Sequence, residues 1–302
     1  MLSICIPIYN VDVRSLVEEL AKQSAVLDYV VEIIAIDDCS TAFKKENKSI
    51  ARFSKYIELN ENIGRARIRN EFLKYATHHH LLFLDCDVVI DNSNFLANYI
   101  KVLVDHPVVI CGGHRYSKDR PNLSELLRWK YGTYKESKST QERQKEPNKS
   151  FMTNNFVVRK DILTQLKFDE RLSNYGHEDT LFGIQLKKNK HSILHIENSV
   201  LIGDREKNEV FIDKTTLSVR NLVTILEFPE YTEDLRNDVA LLRFHQRIKF
   251  LRYPLYLLFK ATKKIQLFYL KKGIVYLAFF DFYKLGILME CLQENDKIRR
   301  TK

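Results

Sequence analysis

Short apolar runs recur along the first third of the chain, and each run ends in polar or acidic residues. Residues 3–8, 31–36 and 80–84 have the sequences SICIPI, VEIIAI and HLLFL. Runs of this length and composition are typical of strands buried in the middle of a sheet. Between the first two runs, residues 13–23 place apolar side chains at helical spacing instead. The pattern therefore predicts strands that alternate with helices.

A glycine-containing loop precedes the third run and extends this alternation. Residues 60–70 (NENIGRARIRN) lead into a predicted helix that continues to about residue 76. Strands that alternate with helices predict an α/β fold, in which helices cover both faces of a mostly parallel sheet. Ligands of such sheets bind at the carboxyl ends of the strands. The acids at Asp38, Asp85 and Asp87 follow predicted strands, so we expect them at that edge.

The pair Asp85 and Asp87 is the first candidate for chemistry. Side chains alternate along a strand, so two acids separated by one residue can lie on the same side where the strand ends. Carboxylates are hard oxygen ligands of the kind that Mg²⁺ and Mn²⁺ prefer, and these cations keep room for water and phosphate oxygens. From the residues alone, a pair that only caps the following helix remains the alternative.

The motifs together resemble glycosyltransferase family 2, which uses the nucleotide-sugar-binding A-type fold. The resemblance covers roughly the first two-thirds of the chain and consists of ordered motifs: IPIYN at 6–10, DDCS at 37–40, NIG at 62–64, RN at 69–70, LDCD at 84–87, FDERL at 168–172 and GHED at 176–179. Several motifs in one order are more specific than any one of them. The resemblance implies a Rossmann-like nucleotide-diphospho-sugar transferase fold.

The resemblance implies a donor site for a nucleotide-diphosphate sugar. The donor-binding residues implied are Pro7, Tyr9, Asp38, Arg69, Asp85 and Asp87. The carboxylate of Asp38 could accept a hydrogen bond from the imide N–H of uracil or thymine, which favours a UDP- or dTDP-type donor. The planar fork of Arg69 fits phosphate oxygens. The alternatives are that Asp38 closes a turn and that Arg69 lies on a solvated helix face.

A divalent cation, Mn²⁺ or Mg²⁺, is the cofactor that the resemblance implies. Asp87 is then the direct ligand, and Asp85 contacts the ribose or binds the cation through water. Members of the family often carry a metal-binding histidine at the position that aligns with Ile202. We therefore expect the cation to be held by Asp87, diphosphate and water, or by a neighbour such as Asp204, and to bind weakly without donor.

Two histidines flank the strand around Ile202 and could replace the missing ligand. They are His191 and His195, although a histidine beside an apolar strand is more often structural.

The acceptor half of the site requires a general base, because a sugar hydroxyl is a poor nucleophile until its proton leaves. The resemblance implies Asp179 in this role, at the start of a predicted helix, and direct attack would invert the anomeric configuration. Acids in a first helical turn are also favoured by the helix dipole, which is the structural alternative. The acceptor-binding residues implied are Asn154, Asn155, His177 and Glu178.

Composition sets limits on the class of protein. The 302 residues, 45% of them hydrophobic, are enough for one large domain with an appendage. The net charge of +9 favours anionic partners, but the basic residues form no recognised nucleic-acid motif, so nucleic acid is not expected as a partner. Five cysteines and no secretory leader predict a reducing, cytoplasmic location, with the inner face of the plasma membrane as a second possibility.

The predicted domains are a catalytic domain at 1–230 and a helical extension at 231–302. The catalytic domain divides into a nucleotide-binding half at about 1–112 and an acceptor half at about 150–230. Residues 114–150 are dense in charge, so we expect them to include a mobile loop, with a solvated linker that has no catalytic role as the alternative. The extension combines aromatic side chains with lysines, and no run reaches the roughly 18–20 apolar residues of a membrane span. Three alternatives stay open for it: peripheral membrane contact, packing on the catalytic domain, and a homodimer.

The sequence thus predicts a metal-dependent inverting glycosyltransferase that moves a sugar to a glycan or lipid-linked acceptor. The resemblance suggests a role in bacterial cell-surface polysaccharide synthesis. Two alternatives come from other classes of protein. One is a phosphatase of the haloacid-dehalogenase type with Asp85 as nucleophile, because residues 83–88 also resemble that motif. The other is a non-catalytic protein that binds sugar nucleotides.

Overall fold

The computed structural model describes residues 1–172, 175–203 and 206–301. Its strands are β1 Leu2–Ile8, β2 Val31–Asp37, β3 Lys55–Glu58, β4 His80–Leu84, β5 Val88–Val89, β6 Val109–Cys111, β7 His114–Arg115, β8 Asn155–Arg159, β9 Ile193–His195 and β10 Val200–Ile202. Its α-helices are α1 Arg14–Ala25, α2 Lys44–Asn47, α3 Arg65–Glu71, α4 Phe95–Leu103, α5 Leu126–Tyr131, α6 Thr140–Lys145, α7 Lys160–Leu166, α8 Glu178–Lys188, α9 Asn208–Ile225, α10 Pro229–Asp238, α11 Ala240–Arg247, α12 Arg252–Lys271 and α13 Leu277–Thr301.

The chain forms two compact units. The first comprises residues 1–117, 137–173 and 178–204, and the second comprises residues 118–136, 174–177 and 205–302. The division of the sequence into domains at 230/231 stays a prediction.

A seven-stranded sheet forms the centre of the first unit, in the order β3-β2-β1-β4-β8-β6-β9. Its neighbouring strands are parallel except where β8 pairs with β4 and β6 in the antiparallel sense. The predicted α/β fold with a mostly parallel sheet is confirmed. The apolar runs explain it: β1 and β4 are almost entirely buried, as central strands covered on both faces must be.

The strand register brings the sequence motifs to one edge of this sheet. Ile8, the last residue of β1, pairs with Asp37, and the amide of Asp38 donates to the carbonyl of Ile8 at 2.8 Å. On the other side of β1, Cys5 pairs with Phe83, so Asp85 follows only two residues later. The acids after β2 and β4 therefore flank the end of β1.

A cluster of phenylalanines holds helix α8 against the first unit's core. The ring of Phe168 stacks on that of Phe182 in α8, with centroids 4.4 Å apart. Phe156 in β8 stacks on Phe83 in β4 at 5.0 Å. Because α8 is anchored by these buried rings, the position of its first turn relative to the end of β4 is determined by apolar packing.

Part of the charged stretch at 114–150, which the sequence predicts to include a mobile loop, is helical. Helices α5 and α6 lie there, together with a π-helical turn at Gly132–Glu136. Arg143 holds α6 in place, because its buried guanidinium donates to the carbonyl oxygens of Cys111, Gly112 and Ile196. A charged side chain of this kind looks like a solvated residue in the sequence, yet here it joins α6 to the strands.

The second unit is helical, as predicted for the C-terminal region. Its longest described helices are α9, α12 and α13. The buried amide of Asn208 donates to the carbonyl oxygens of Leu123 and Lys271 and accepts from the amide of Leu127, so it joins three segments of this unit. Among the described residues, no helix is long and apolar enough to cross a membrane.

Candidate active site

Asp37 closes the turn at the end of β2. One of its carboxylate oxygens accepts from the amide of Ser40 at 2.6 Å, and the other accepts from the hydroxyl of Tyr56 at 3.2 Å. Its side chain is fully buried. This acid is therefore a turn residue, a role that aspartate fills well.

Asp38 joins the end of β2 to the loop that opens α3. Its two carboxylate oxygens accept from the amides of Ile63 (2.7 Å) and Gly64 (3.0 Å). Burial raises the pKa of Asp38, and the two amide donors oppose that increase. A carboxylate oxygen has more than one acceptor position, so both oxygens can accept one further hydrogen bond.

Asn10 and Asn70, for which the sequence predicts no role, support this edge. The amide oxygen of Asn10 accepts from the backbone amides of Thr41 (2.7 Å) and Ala42 (3.0 Å) and so braces the loop after β2. The side chain of Asn70 donates to the carbonyl of Phe168 and accepts from its amide, both at 2.9 Å. Asn10 ends the motif at 6–10 and Asn70 ends the motif at 69–70, and this membership was the only feature of the sequence that could have indicated their supporting roles.

Arg69 lies between the acids of two different elements. Its Nη2 donates to Asp85 Oδ1 at 2.8 Å, and its Nη1 lies 3.8 Å from Glu178 Oε1 in α8. The side chain is only 2% exposed, and its Nε has no hydrogen-bond partner. The alternative in which Arg69 lies on a solvated face is therefore wrong. Arg65, one turn earlier, also pairs with Glu178 at 3.5 Å but is half exposed.

The Asp85–Asp87 segment follows β4 and is held by backbone pairing. The amide of Asp85 donates to the carbonyl of Asn154, and the carbonyl of Asp87 accepts from the amide of Gly203 at 3.0 Å. Strands β5 and β10 pair so that Ile202 is opposite Val88. The position that the family resemblance assigns to histidine thus lies beside the two acids, and in this chain it is apolar.

The described residues fit a cation that takes most of its ligands from elsewhere. They contain no group of three or more His, Cys, Asp or Glu side chains arranged to hold a metal ion. Asp85 and Asp87 are both partly exposed and supply hard oxygen atoms. Between them, burial and the neighbouring carboxylates raise the pKa of Cys86 to about 12, so its thiol stays neutral. Asp204 lies outside the described residues.

His195 does not replace the missing histidine. Its Nδ1 lies 3.0 Å from Arg143 Nη1, and its Nε2 lies 2.9 Å from the carbonyl of Pro147. Both ring nitrogens are engaged in a buried network, and burial lowers the pKa of this imidazole. The suggestion that His195 could bind the cation is wrong for this reason.

The first turn of α8 carries the two acids of the GHED motif. Glu178 is buried, and Asp179 is partly exposed. Asp179 Oδ1 accepts from the amide of Thr180 at 2.6 Å. Burial, with the nearby Glu178 charge as a second cause, raises the pKa of Asp179 to about 6. A carboxylate whose pKa lies this close to neutrality has the basicity that a general base needs.

The loop before α8, which belongs to the second unit, has an unusual backbone. Gly176 and His177 both have positive φ angles, +95° and +71°. The side chain of Asn221 in α9 donates to the carbonyl of Gly176 at 2.7 Å, and a Cβ at Gly176 would lie 2.5 Å from Ser218 Oγ. Only glycine fits at position 176, and His177 is held in a conformation that a non-glycine residue rarely adopts.

The two asparagines before and within β8 have different surroundings. Asn155 is fully buried: it accepts from the hydroxyl of Tyr99 at 2.6 Å and donates to the carbonyl oxygens of Gly113 and Asn198. Both N–H donors of its side-chain amide are used in these hydrogen bonds, which leaves no donor for a sugar. The Nδ2 of Asn154 lies 2.9 Å from His114 Nδ1, and its Oδ1 is buried without a hydrogen-bond partner.

Pro7 and Tyr9 complete the set of predicted donor residues. Pro7 lies within β1, and Tyr9 follows that strand with half of its side chain exposed. The first unit therefore brings Arg69, Asp85 and Glu178 into one hydrogen-bonded and ionic network, with Asp179 next to it along α8. Asp38 lies at the end of the adjoining strands.

A separate cavity of about 640 Å³ lies at the opposite edge of the sheet. It is lined by Met1, Tyr29, His79, His80, Leu103, His106, Arg159 and Asp161. Strands β1 and β4 begin at this edge and β8 ends there, so the cavity is remote from the acids that follow β4.

The architecture and the acids at the strand ends define the A-type fold of nucleotide-diphospho-sugar transferases. The chain matches the sequence model of glycosyl transferase family 2 over residues 3–166, more than half of its length, and it belongs to that family. The family model thus identifies it as a glycosyltransferase. A search of curated proteins gave no significant match.

Solved structures share this fold at low sequence identity. A mannosyltransferase, PcManGT from Pyrobaculum calidifontis in complex with GDP-Man and Mn²⁺, is 15% identical with a TM-score of 0.55, and the alignment covers 96% of this chain and 85% of that one. S. aureus TarS 1-349 in complex with UDP is 18% identical with a TM-score of 0.51, covering 97% and 91%. For a longer S. aureus TarS structure, the alignment with this chain covers 39% of the TarS chain.

Proposed function

We propose that this protein is an inverting glycosyltransferase that uses a UDP- or dTDP-type sugar and a divalent cation. Its acceptor is a glycan or a lipid-linked glycan in the synthesis of cell-surface polysaccharide. The observation that carries the proposal is the placement of Arg69 between Asp85 and Glu178. This link holds a donor-side acid and the first turn of α8 in one network, with Asp179 as the adjacent carboxylate.

The donor half of the proposal rests on acids at the strand ends and on the relatives. The two similar structures contain GDP-Man with Mn²⁺ and UDP, which supports a nucleotide-diphosphate donor here. Asp38 would accept the imide N–H of the base through its remaining acceptor positions, and Tyr9 would lie beside the nucleoside. Asp87 and Asp85 would hold Mn²⁺ or Mg²⁺, which when bound stabilises the negative charge of the leaving diphosphate.

The acceptor half requires proton transfer by a residue of this chain. The carboxylate of Asp179 would accept the proton of the attacking acceptor hydroxyl. At the same time the hydroxyl oxygen would bond to the anomeric carbon, and the bond between that carbon and the diphosphate would break. Attack opposite the leaving group inverts the configuration at that carbon. Asn154, His177 and Glu178 remain our proposal for acceptor contacts; we leave out Asn155 because its amide is fully engaged.

The metal site is tested by replacing Asp87 with asparagine. We expect the wild type to gain thermal stability with UDP plus Mn²⁺, because a ligand that binds only the folded state stabilises it by mass action. Mn²⁺ alone should give little shift, since two carboxylates are too few ligands for tight binding. The D87N variant should lose the shift with UDP plus Mn²⁺.

The matched control is D105N, which changes an exposed aspartate of the same unit. It should keep the wild-type shift. Equal shifts in D87N and D105N would contradict the role of Asp87, and tight binding of Mn²⁺ alone would contradict the proposed ligand set. Repeating the scan with a panel of nucleotide sugars identifies the donor.

The pH dependence of kcat/KM tests the proposed base. Because burial raises the pKa of Asp179 to about 6, the base is protonated and inactive below that pH. We expect kcat/KM to fall about tenfold per unit as the pH decreases below about 6 and to level off above it. A profile that is flat between pH 5 and pH 7, roughly one unit either side of that value, would contradict this assignment.

A further inference from the structure

Helix α12 of the second unit has an apolar face turned to solvent. Its buried side chains are Phe259, Gln266 and Leu270. On the opposite side of the helix are four exposed apolar residues: Leu257 (47% exposed), Leu258 (52%), Ile265 (54%) and Phe268 (58%). We call these four the outer stripe of α12. At 3.6 residues per turn they project from one face, roughly half a turn away from the packed side chains.

Aromatic side chains extend this exposed surface at the start of the helix. Phe250, just before α12, is 96% exposed, and Tyr253 in its first turn is 68% exposed. Scattered exposed apolar residues are ordinary, but a row of large ones on one helix face marks an interaction site.

The segment of the chain that carries the outer stripe contains charged side chains of one sign only, although Lys263 and Lys271 pair with Glu290 and Glu209 of other helices. Residues 239–280 contain no aspartate or glutamate, and they contain nine basic residues: Arg243, Arg247, Lys249, Arg252, Lys260, Lys263, Lys264, Lys271 and Lys272. The whole chain has 48 basic and 39 acidic residues, so the remainder has 39 of each. The entire net charge of +9 therefore comes from this one segment.

Two lysines border the outer stripe directly. Lys260 and Lys264 are one turn apart, both are exposed, and by helical spacing they lie along one side of the stripe. Their aliphatic stems can lie along apolar surroundings while their ammonium groups reach anionic groups above them.

We propose that the outer stripe of α12 inserts into the interfacial region of an anionic lipid bilayer. Apolar side chains would enter the headgroup and acyl boundary, and the surrounding lysines and arginines would bind anionic headgroups. Charge complementarity selects this partner over a second copy of the chain, because a two-fold pairing would place two strongly basic surfaces against each other. The inference concerns membrane binding only and does not depend on the proposed catalytic residues.

The test is cosedimentation of the full chain with vesicles of defined composition. We expect binding to vesicles that mix phosphatidylglycerol with phosphatidylcholine, and little binding to pure phosphatidylcholine. The triple variant L257S/I265S/F268S should reduce partitioning by at least about 100-fold, because three exposed apolar side chains are lost. The variant K260Q/K264Q should reduce it by roughly 25-fold, since each lysine near an anionic surface contributes about fivefold.

The matched control is V26S/V104S, which removes two apolar side chains of the first unit that are 82% and 73% exposed. It should bind vesicles like the wild type. Equal binding to neutral and anionic vesicles, or equal loss in the control, would overturn the proposal. Light scattering that shows a dimer in the wild type and a monomer in the triple variant, without lipid, would assign the stripe to a second copy. The thermal shift of the triple variant with UDP plus Mn²⁺ reports separately on the donor site.

Discussion

Replacing Asp179 with asparagine is expected to lower the rate of sugar transfer by about 10²–10⁴-fold, the usual contribution of a positioned general base. Asparagine has nearly the same size and can still accept from the amide of Thr180, but it cannot take a proton. Binding of the donor should therefore change little. The measurement is the single-turnover rate with saturating donor, together with the donor Kd from calorimetry.

The same variant is expected to be more stable than the wild type at pH 7. Burial raises the pKa of Asp179 from 3.8 to about 6 in the folded protein. Between these two values the folded state binds more protons than the unfolded state, so this group lowers stability as the pH rises from about 4 to 6. Above that range the folded protein carries the full cost of a shielded carboxylate beside Glu178. Asparagine removes that cost.

The two readouts together separate a catalytic carboxylate from a structural cap. An acid that merely stabilises α8 through the helix dipole would lose that stabilisation when asparagine removes its charge, and it would leave the rate unchanged. We expect the reverse: a lower rate, a higher melting temperature at pH 7, and no gain in melting temperature at pH 4. The control D105N should change neither quantity. A D179N variant with an unchanged rate would end the assignment of Asp179 as the base.

The part of the site that lies at strand ends could be predicted from the sequence, because apolar runs locate buried strands and the residues after them fall at one edge. Asp38, Asp85 and Asp87 were placed there in this way. Their individual partners depend on contacts between residues far apart in the chain. Asp38, for example, accepts hydrogen bonds from the amides of Ile63 and Gly64, and no local sequence pattern predicts those bonds.

Buried polar side chains were the least predictable feature. Arg143 and His195 are polar residue types that are usually expected at the surface, yet they form one buried network. The family resemblance implied an acceptor-binding role for Asn155, but this residue faces the core and its amide holds three segments together. The pairing of strands in the sheet decides toward which face the side chain of the first strand residue points. A shift of one residue in register moves that side chain to the other face.

Arg69 illustrates the same limit within a helix. Arg65, Arg67 and Arg69 look alike in the sequence, and only the resemblance to the family singled out Arg69. In the structure Arg65 and Arg67 are exposed, whereas Arg69 is buried beneath them. Gly64, with a φ of +83°, immediately precedes α3, and the start of the helix at this point determines which of the three arginines faces the end of β4.

Replacing Arg69 with methionine is expected to destabilise the first unit by about 3 kcal/mol, the cost of removing the buried countercharge from the buried Glu178 and the partly exposed Asp85. Methionine retains the apolar stem but leaves Asp85 without its 2.8 Å partner and removes the buried one of the two arginines that pair with Glu178. The pKa of Asp179 should rise further, because the Arg69 charge is one of the influences that lower it. The measurement is the urea midpoint at pH 7, with the slope m unchanged.

The matched control is R65M, which removes a half-exposed arginine from the same helix and the same acid. Surface pairs of this kind contribute less than about 1 kcal/mol, so R65M should unfold near the wild-type midpoint. The R69K variant keeps the charge without the planar fork and should lie between the two. Equal midpoints for R69M and R65M would show that Arg69 does not hold the donor-side acid and α8 in one network.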